Sequence, residues 1–155
     1  MPFTQSDTDK LAAQVKEAEG FRLSAYRCPA GALTIGYGHN CDASPVAGVH
    51  EPGDRITQVQ AETLFEADLA TAVWAVRQNH PWVTGLNAAR QAVLYDMAFN
   101  MGIRGLSTFV NTLRMVKEGD YAGAARNMLL SKWARQVGRR AIRLAKQIED
   151  GEWRP

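Results

Sequence analysis

Residues 19–40 read EGFRLSAYRCPAGALTIGYGHN, and the fold of the whole chain is decided by how they are read. Glu19 leads, Cys28 follows nine residues later and Thr34 six after that, in the most glycine-rich part of the sequence. Tyr26, Leu33, Ile35 and Tyr37 occur in short alternating runs around PAGA (29–32), which predicts a β-hairpin with a small meander. Upstream, Ser6 or Thr8 can cap a helix whose apolar positions Leu11, Val15 and Ala18 recur at helical spacing. Gly20 is its expected stop, so Glu19 falls at the helix end.

Downstream, ASPVAGVHEPGD (43–54) is Pro/Gly-rich loop. Helical periodicity returns at Thr57, where T-x-x-Q forms a capping box. Leu64, Phe65, Asp68, Leu69, Ala72, Val73 and Val76 then mark a helix of about 20 residues. Segments 87–102, 108–120, 121–133 and 139–151 each read as a helix closed by Gly, a polar turn or a short loop. No repeat of 20–50 residues is present. The outline is α+β and predominantly helical: a small α+β lobe (14–58), a connecting helix (57–79) and a helical lobe (1–13 with 80–155). Two lobes imply a cleft, the usual ligand site.

The chain has 155 residues, 46% hydrophobic and 22% charged, the composition of a globular domain. Its two cysteines are too few for a disulfide framework. The N-terminus MPFTQSDTDK carries no signal-like apolar core, and no run of 18 apolar residues occurs. The net charge of +2 conceals an asymmetry. Residues 1–113 hold eight Lys/Arg against eleven Asp/Glu, and residues 114–155 hold ten against five. The basic C-terminal third suits a polyanionic partner as well as ordinary solvated helix faces. G-Y-G-H is too short for a dinucleotide fingerprint, and no Ser–His–Asp spacing or metal cluster competes.

If Cys28 and Thr34 lie opposite each other on adjacent antiparallel strands, their Cβ atoms stand about 4.5–5.5 Å apart. Glu19 then looks across a gap at a pair able to hold a water. An inverting glycosidase needs that layout: an acid on the leaving oxygen, and about 6.5–9.5 Å away a group orienting water on the opposite sugar face. The spacing alone also fits a surface Glu, a buried Cys and a strand Thr.

The flanking residues bear on that choice. E-G-x-x-L-x-x-Y, the site residue, a Gly-bearing turn and T-I-G-x-G-H resemble the signature of phage-type lysozymes, glycoside hydrolase family 24. The similarity continues through ITQVQAETLFEADLATAV (56–73), MAFNMGIRGLSTFVNTLRM (97–115), AARNMLLSKW (124–133), RRAIR (139–143) and GEW (151–153). Nearly the whole chain is covered, with the loop at 43–54 least similar. The resemblance implies a lysozyme-like fold and a muramidase that cuts the β-1,4 bond between N-acetylmuramic acid and N-acetylglucosamine.

By the same resemblance Glu19 is the general acid, a role that needs a protonated carboxyl, the state burial favours. Thr34 holds the attacking water. Cys28 stands where T-even members of the family have aspartate, while others read E-x8-C-x5-T. It is a water-orienting base or, when ionised, a nucleophile. A free thiol titrates near pH 8.5, so its environment decides its charge. Asn40, Phe99, Thr112 and Asn127 fall at glycan-contacting positions. His39 and Asp68 match an ion pair, and Arg140 matches an arginine that holds the catalytic Glu, with Arg139 leaving the register open by one. Cys41 is a buried hydrophobe or the partner of Cys28 in a disulfide that masks the thiol.

The expected partner is bacterial peptidoglycan, with no nucleic acid, no stable membrane insertion and no cofactor or metal. The resemblance implies a monomeric endolysin, made in the host cytoplasm and reaching the wall after holin-dependent release. Two rivals stand beside it. A lytic transglycosylase needs the acid without the water-holding pair, and a non-catalytic wall-binding or phage-tail module needs neither.

Overall fold

The computed structural model describes residues 2–154. Among these, seven α-helices, a short 3-10 turn and a three-stranded antiparallel sheet follow one another along the chain. Two compact units emerge: Val15–Thr71 is one, and the residues up to Gln14 together with those from Ala72 onward form the other.

Helix α1 spans Gln5–Glu19. Its cap lies earlier than Ser6 or Thr8: Asp7 N donates to Thr4 Oγ1 at 3.2 Å and Thr4 N donates to Asp7 Oδ2 at 2.9 Å. This reciprocal box satisfies helix-end donors that the later residues do not reach. The helix ends at Gly20, as expected, with φ +72° and its N–H on Lys16 O.

In the unit Val15–Thr71, strands β1 (Arg22–Arg27), β2 (Leu33–Gly36) and β3 (His39–Asn40) lie in the order β1-β2-β3. The middle strand LTIG is buried at every position, because it has a neighbour on each edge. Register slips between Arg22↔Gly36 and Tyr26↔Thr34, so an irregularity bends β1. The 43–54 loop is tied down rather than loose. Asp54 accepts the N–H groups of His50 and Glu51, Gly53 N donates to Ala25 O, and Ile56 N donates to Leu23 O. Ala25, Leu33, Ile35, Cys41, Val49, Ile56 and Ala61 form the core.

Helix α2 spans Gln58–Asn79, and its box is intact: Thr57 N donates to Gln60 Oε1 at 2.8 Å and Gln60 N to Thr57 Oγ1 at 3.1 Å.

The helical unit is built round α3 (Ala88–Ser107), in which Gln91–Ala98 are all buried. A helix covered on every side must satisfy its own polar groups. Gln91 donates to Leu86 O, Tyr95 O–H donates to Gln91 Oε1, and Asp96 meets Arg140. Gly102 marks a kink rather than an end: at φ 77° and ψ 163° it leaves the helical region, and helix resumes to Ser107. The remaining helices are α4 (Val110–Glu118), α5 (Tyr121–Leu129), α6 (Lys132–Val137) and α7 (Arg139–Asp150). The single helix expected over 121–133 is broken because Ser131 caps a new one, accepting from Ala134 N at 3.0 Å. Helix α7 buries Ala141, Leu144, Ala145 and Ile148 along one stripe.

Candidate active site

Glu19 is the last residue of α1 and is half-buried. The G-Y-G turn between β2 and β3 wraps its carboxyl. A methyl placed on Gly38, whose φ is +76°, would stand 3.0 Å from Glu19 Oε1 and 3.5 Å from Cδ. Glycine is required there twice over, by the close approach and by the left-handed backbone. Beside it, Tyr37 stacks between Phe21 and Phe65, and its hydroxyl donates to Glu62, which also holds Lys16 at 2.6 Å.

Cys28 departs from the position expected of it. Thr34 pairs with Tyr26 in the ladder, and Cys28 lies just past β1, in the turn itself. Strand pairing stops at Arg27↔Leu33, so the thiol is placed by the turn instead. Gly31 N donates to Cys28 O at 2.8 Å and Cys28 N to Ala32 O at 3.0 Å.

Turn placement has an electrostatic consequence. Burial pushes the thiol pKa up, yet backbone hydrogen bonds from Ala32, Ala30 and Gly31 and a bond from Thr34 outweigh it and hold the pKa below its ordinary value. Successive amides in a tight turn form an anion-holding concavity. The tyrosine between acid and thiol registers both. Burial raises the Tyr26 pKa, Arg22 opposes, and the charges of Glu19 and Cys28 add to the rise.

Two residues outside the motif fix this turn. Arg27 Nη1 donates to Gly31 O at 3.1 Å and lies 3.7 Å from Asp42 Oδ2, while Asp42 accepts Leu33 N–H at 3.1 Å. Nothing in the spacing of the sequence singled out Asp42. Cys41 is a buried thiol packed in the sheet core, and both cysteines are free. Asn40 is exposed, with its side-chain oxygen accepting the N–H groups of Asp42 and Ala43.

His39 and Asp68 meet at 2.7 Å, Nδ1 to Oδ2, and His39 Nε2 lies 2.8 Å from Ser44 O. Both ring nitrogens face acceptors, an arrangement that the doubly protonated ring satisfies fully. The hydrogen bond to Asp68 raises the His39 pKa against the opposing effect of burial. A raised histidine pKa contributes stability that is complete below the unfolded-state value of about 6.5 and is lost as pH rises through the folded value. Asp68→Asn is therefore expected to lower the His39 pKa and to cost about 1.5–3 kcal/mol at pH 6. That loss should shrink on the alkaline side of the wild-type His39 pKa. NMR titration with urea denaturation at both pH values measures it, and an unchanged His39 pKa refutes the coupling.

In the helical unit, a groove of about 660 Å³ is lined by Met101, Phe109, Asn127, Ser131, Trp133 and neighbouring residues. Asn127 lies on its wall. Thr112 sits behind, 1% exposed, and donates to Asn127 Oδ1 at 2.6 Å. The Thr112 hydroxyl, expected at a glycan-contacting position, is thereby joined to the Asn127 side chain. Phe99, on α3, is half-buried, and its neighbour Asn100 accepts from Trp133 Nε1 at 2.7 Å. Arg140 is 8% exposed, and its Nε and Nη2 lie 2.9 and 2.8 Å from Asp96 Oδ1. Asp96, fully buried, is the partner the sequence did not reveal.

Seven helices with one small antiparallel sheet make a lysozyme-like α+β fold. The family model described as phage lysozyme matches residues 16–148. "Probable T4-type lysozyme 1" of Dictyostelium discoideum is 30% identical, over 88% of this chain and 92% of its own. The endolysin of Acyrthosiphon pisum secondary endosymbiont phage 1 is 32% identical, over 83% and 80%. The pre-baseplate central spike protein Gp5 of Enterobacteria phage T4 is 30% identical over 97% of this chain, which spans 30% of the spike. The chain belongs to the phage lysozyme family.

Proposed function

We propose that the protein is a muramidase of the endolysin type, hydrolysing the β-1,4 bond between N-acetylmuramic acid and N-acetylglucosamine in bacterial peptidoglycan. Membership of the phage lysozyme family supports this, since the match spans the residues that bear the chemistry. The observation that carries the mechanism is the Cys28 turn, whose amides and Thr34 favour a thiolate where a water must be activated.

Glu19 delivers a proton to the leaving glycosidic oxygen as the bond stretches toward an oxocarbenium-like transition state. The Cys28 thiolate takes a proton from water while Thr34 orients it. The Thr34 hydroxyl bonds Ala32 O at 2.9 Å, which ties its position to the same turn. Asn127, steadied by Thr112, offers its amide to hydroxyl or acetamido groups, and Phe99 offers an apolar face to a sugar ring. Asn40 adds a contact near the rim of the sheet. The His39–Asp68 pair ties β3 to α2 within the unit that carries Glu19 and Cys28. By the family resemblance Arg140 is the arginine that holds the catalytic Glu. The enzyme acts as a monomer on the wall after release through a holin-type lesion. No described helix is long and apolar enough to cross a membrane.

The similarity to a spike protein keeps a tail-associated role in view, but the acid, thiol and hydroxyl together favour a hydrolase. Mass spectrometry of digested wall tests the reading. Hydrolysis leaves reducing muramic acid ends, and 1,6-anhydro ends would show a transglycosylase instead. In the same digest Cys28→Ser should release product at least tenfold more slowly, as loss of a positioned base does; an undiminished rate removes the thiol from the mechanism.

A further inference from the structure

The helical unit carries a second recess, of about 410 Å³, lined by Arg139, Ile142, Arg143, Lys146 and Arg154. Its volume lies within the usual range of ligand sites, roughly 300–1,000 Å³. Arg139, Arg143 and Lys146 recur at i, i+4 and i+7, which puts three cations on one stripe of α7. Arg154 adds a fourth from the segment that follows the helix. Ile142, half exposed, supplies the apolar part of the lining. Among the described residues no carboxylate lines the recess.

Like charges at helical spacing repel one another and gain nothing from folding together. Here the fold nevertheless ties two of them, Arg143 and Arg154, to neighbouring elements. Gln14 Nε2 donates to Arg154 O and to Gln147 Oε1, Arg154 N donates to Gln147 Oε1, and Arg143 Nη2 donates to Gln14 O. Asp150 accepts from Arg154 Nη2, while the buried Nε of the same guanidinium has no acceptor among the described residues.

We propose that this recess binds a phosphate oxyanion, free or as a phosphoryl ester. Three of its four cations are arginines, whose planar forks match tetrahedral phosphate oxygens in pairs, and a multivalent anion answers several cations at once. The proposal is independent of the glycosidic reaction and concerns a different face of α7 from the one that carries buried Arg140.

Inorganic pyrophosphate titrated into the full-length protein at constant ionic strength, followed by amide and arginine Nε NMR shifts, tests it. Expected are saturating shifts confined to Arg139, Ile142, Arg143, Lys146 and Arg154. Arg139→Gln/Lys146→Gln, which alters two exposed side chains, should bind at least tenfold more weakly. The control Arg114→Gln/Lys117→Gln on α4 should bind as wild type. Non-saturating shifts, or equal weakening by both variants, would show only diffuse charge screening and overturn the site. Sedimentation with phosphatidylglycerol vesicles separates the sources. Pyrophosphate-sensitive cosedimentation identifies a lipid phosphoryl group, and saturable pyrophosphate binding without cosedimentation identifies the soluble ion.

Discussion

Glu19→Gln is expected to slow lysis of permeabilised bacteria by about 10²–10⁴-fold, the range for removal of a positioned general acid. Glutamine keeps the size and planar shape of the side chain, so it can keep the place against Gly38 that leaves no room for a methyl. What it cannot do is give up a proton to the leaving oxygen. The deficit should therefore fall on turnover, with the far-ultraviolet circular dichroism and the urea midpoint close to wild type. Turbidity loss measures the rate. A variant that clears cells as fast as wild type would mean that wall disruption does not pass through Glu19, and the wall-binding module would become the better account.

Asp96→Ala is expected to cost about 3–5 kcal/mol, the usual result of deleting one partner of a buried ion pair. In a chain of this length that corresponds to a fall of roughly 6–20 °C in Tm. Asp96 has no exposed surface, and two Arg140 nitrogens lie within hydrogen-bonding distance of one of its oxygens. Burial raises the Asp96 pKa, and the charge and hydrogen bond of Arg140 oppose it, so the pair is held together against a large desolvation penalty. The substitution removes the carboxylate and leaves the guanidinium in a site built for its opposite charge. Urea denaturation measures the loss. A change under about 1 kcal/mol, the size typical of an exposed pair, would mean that the interior at Asp96 is wet.

The elements legible in the sequence are those governed by neighbours along the chain. The Thr57–Gln60 box, the Gly20 stop and the hairpin around residues 29–32 depend on contacts a few residues apart, and residue type expresses them directly. The misjudged boundaries had local causes too weak to stand out. Thr4 caps α1 ahead of two equally suitable hydroxyls, Ser131 interrupts an otherwise continuous periodicity, and Gly102 kinks a helix instead of ending it. In the candidate site, the roles of Glu19 and Thr34 came through the family resemblance, since their spacing alone also fits a surface Glu and a strand Thr. His39–Asp68 came only through resemblance, since 29 residues separate the partners.

By itself, then, the sequence determined the α+β class, the helix-end position of Glu19, the hairpin and the family motif, because hydrophobic period, caps and glycines act locally. The tertiary structure decided the properties that depend on charge and burial. It put Cys28 in a turn rather than on a strand, and so gave the thiol amide donors that no spacing rule supplies. It recruited Asp42 and Arg27 to hold that turn, turned Thr112 inward to support Asn127, and gave Arg140 a buried carboxylate 44 residues away. Desolvation and long-range Coulomb interaction act through space, and only the folded chain brings their partners together.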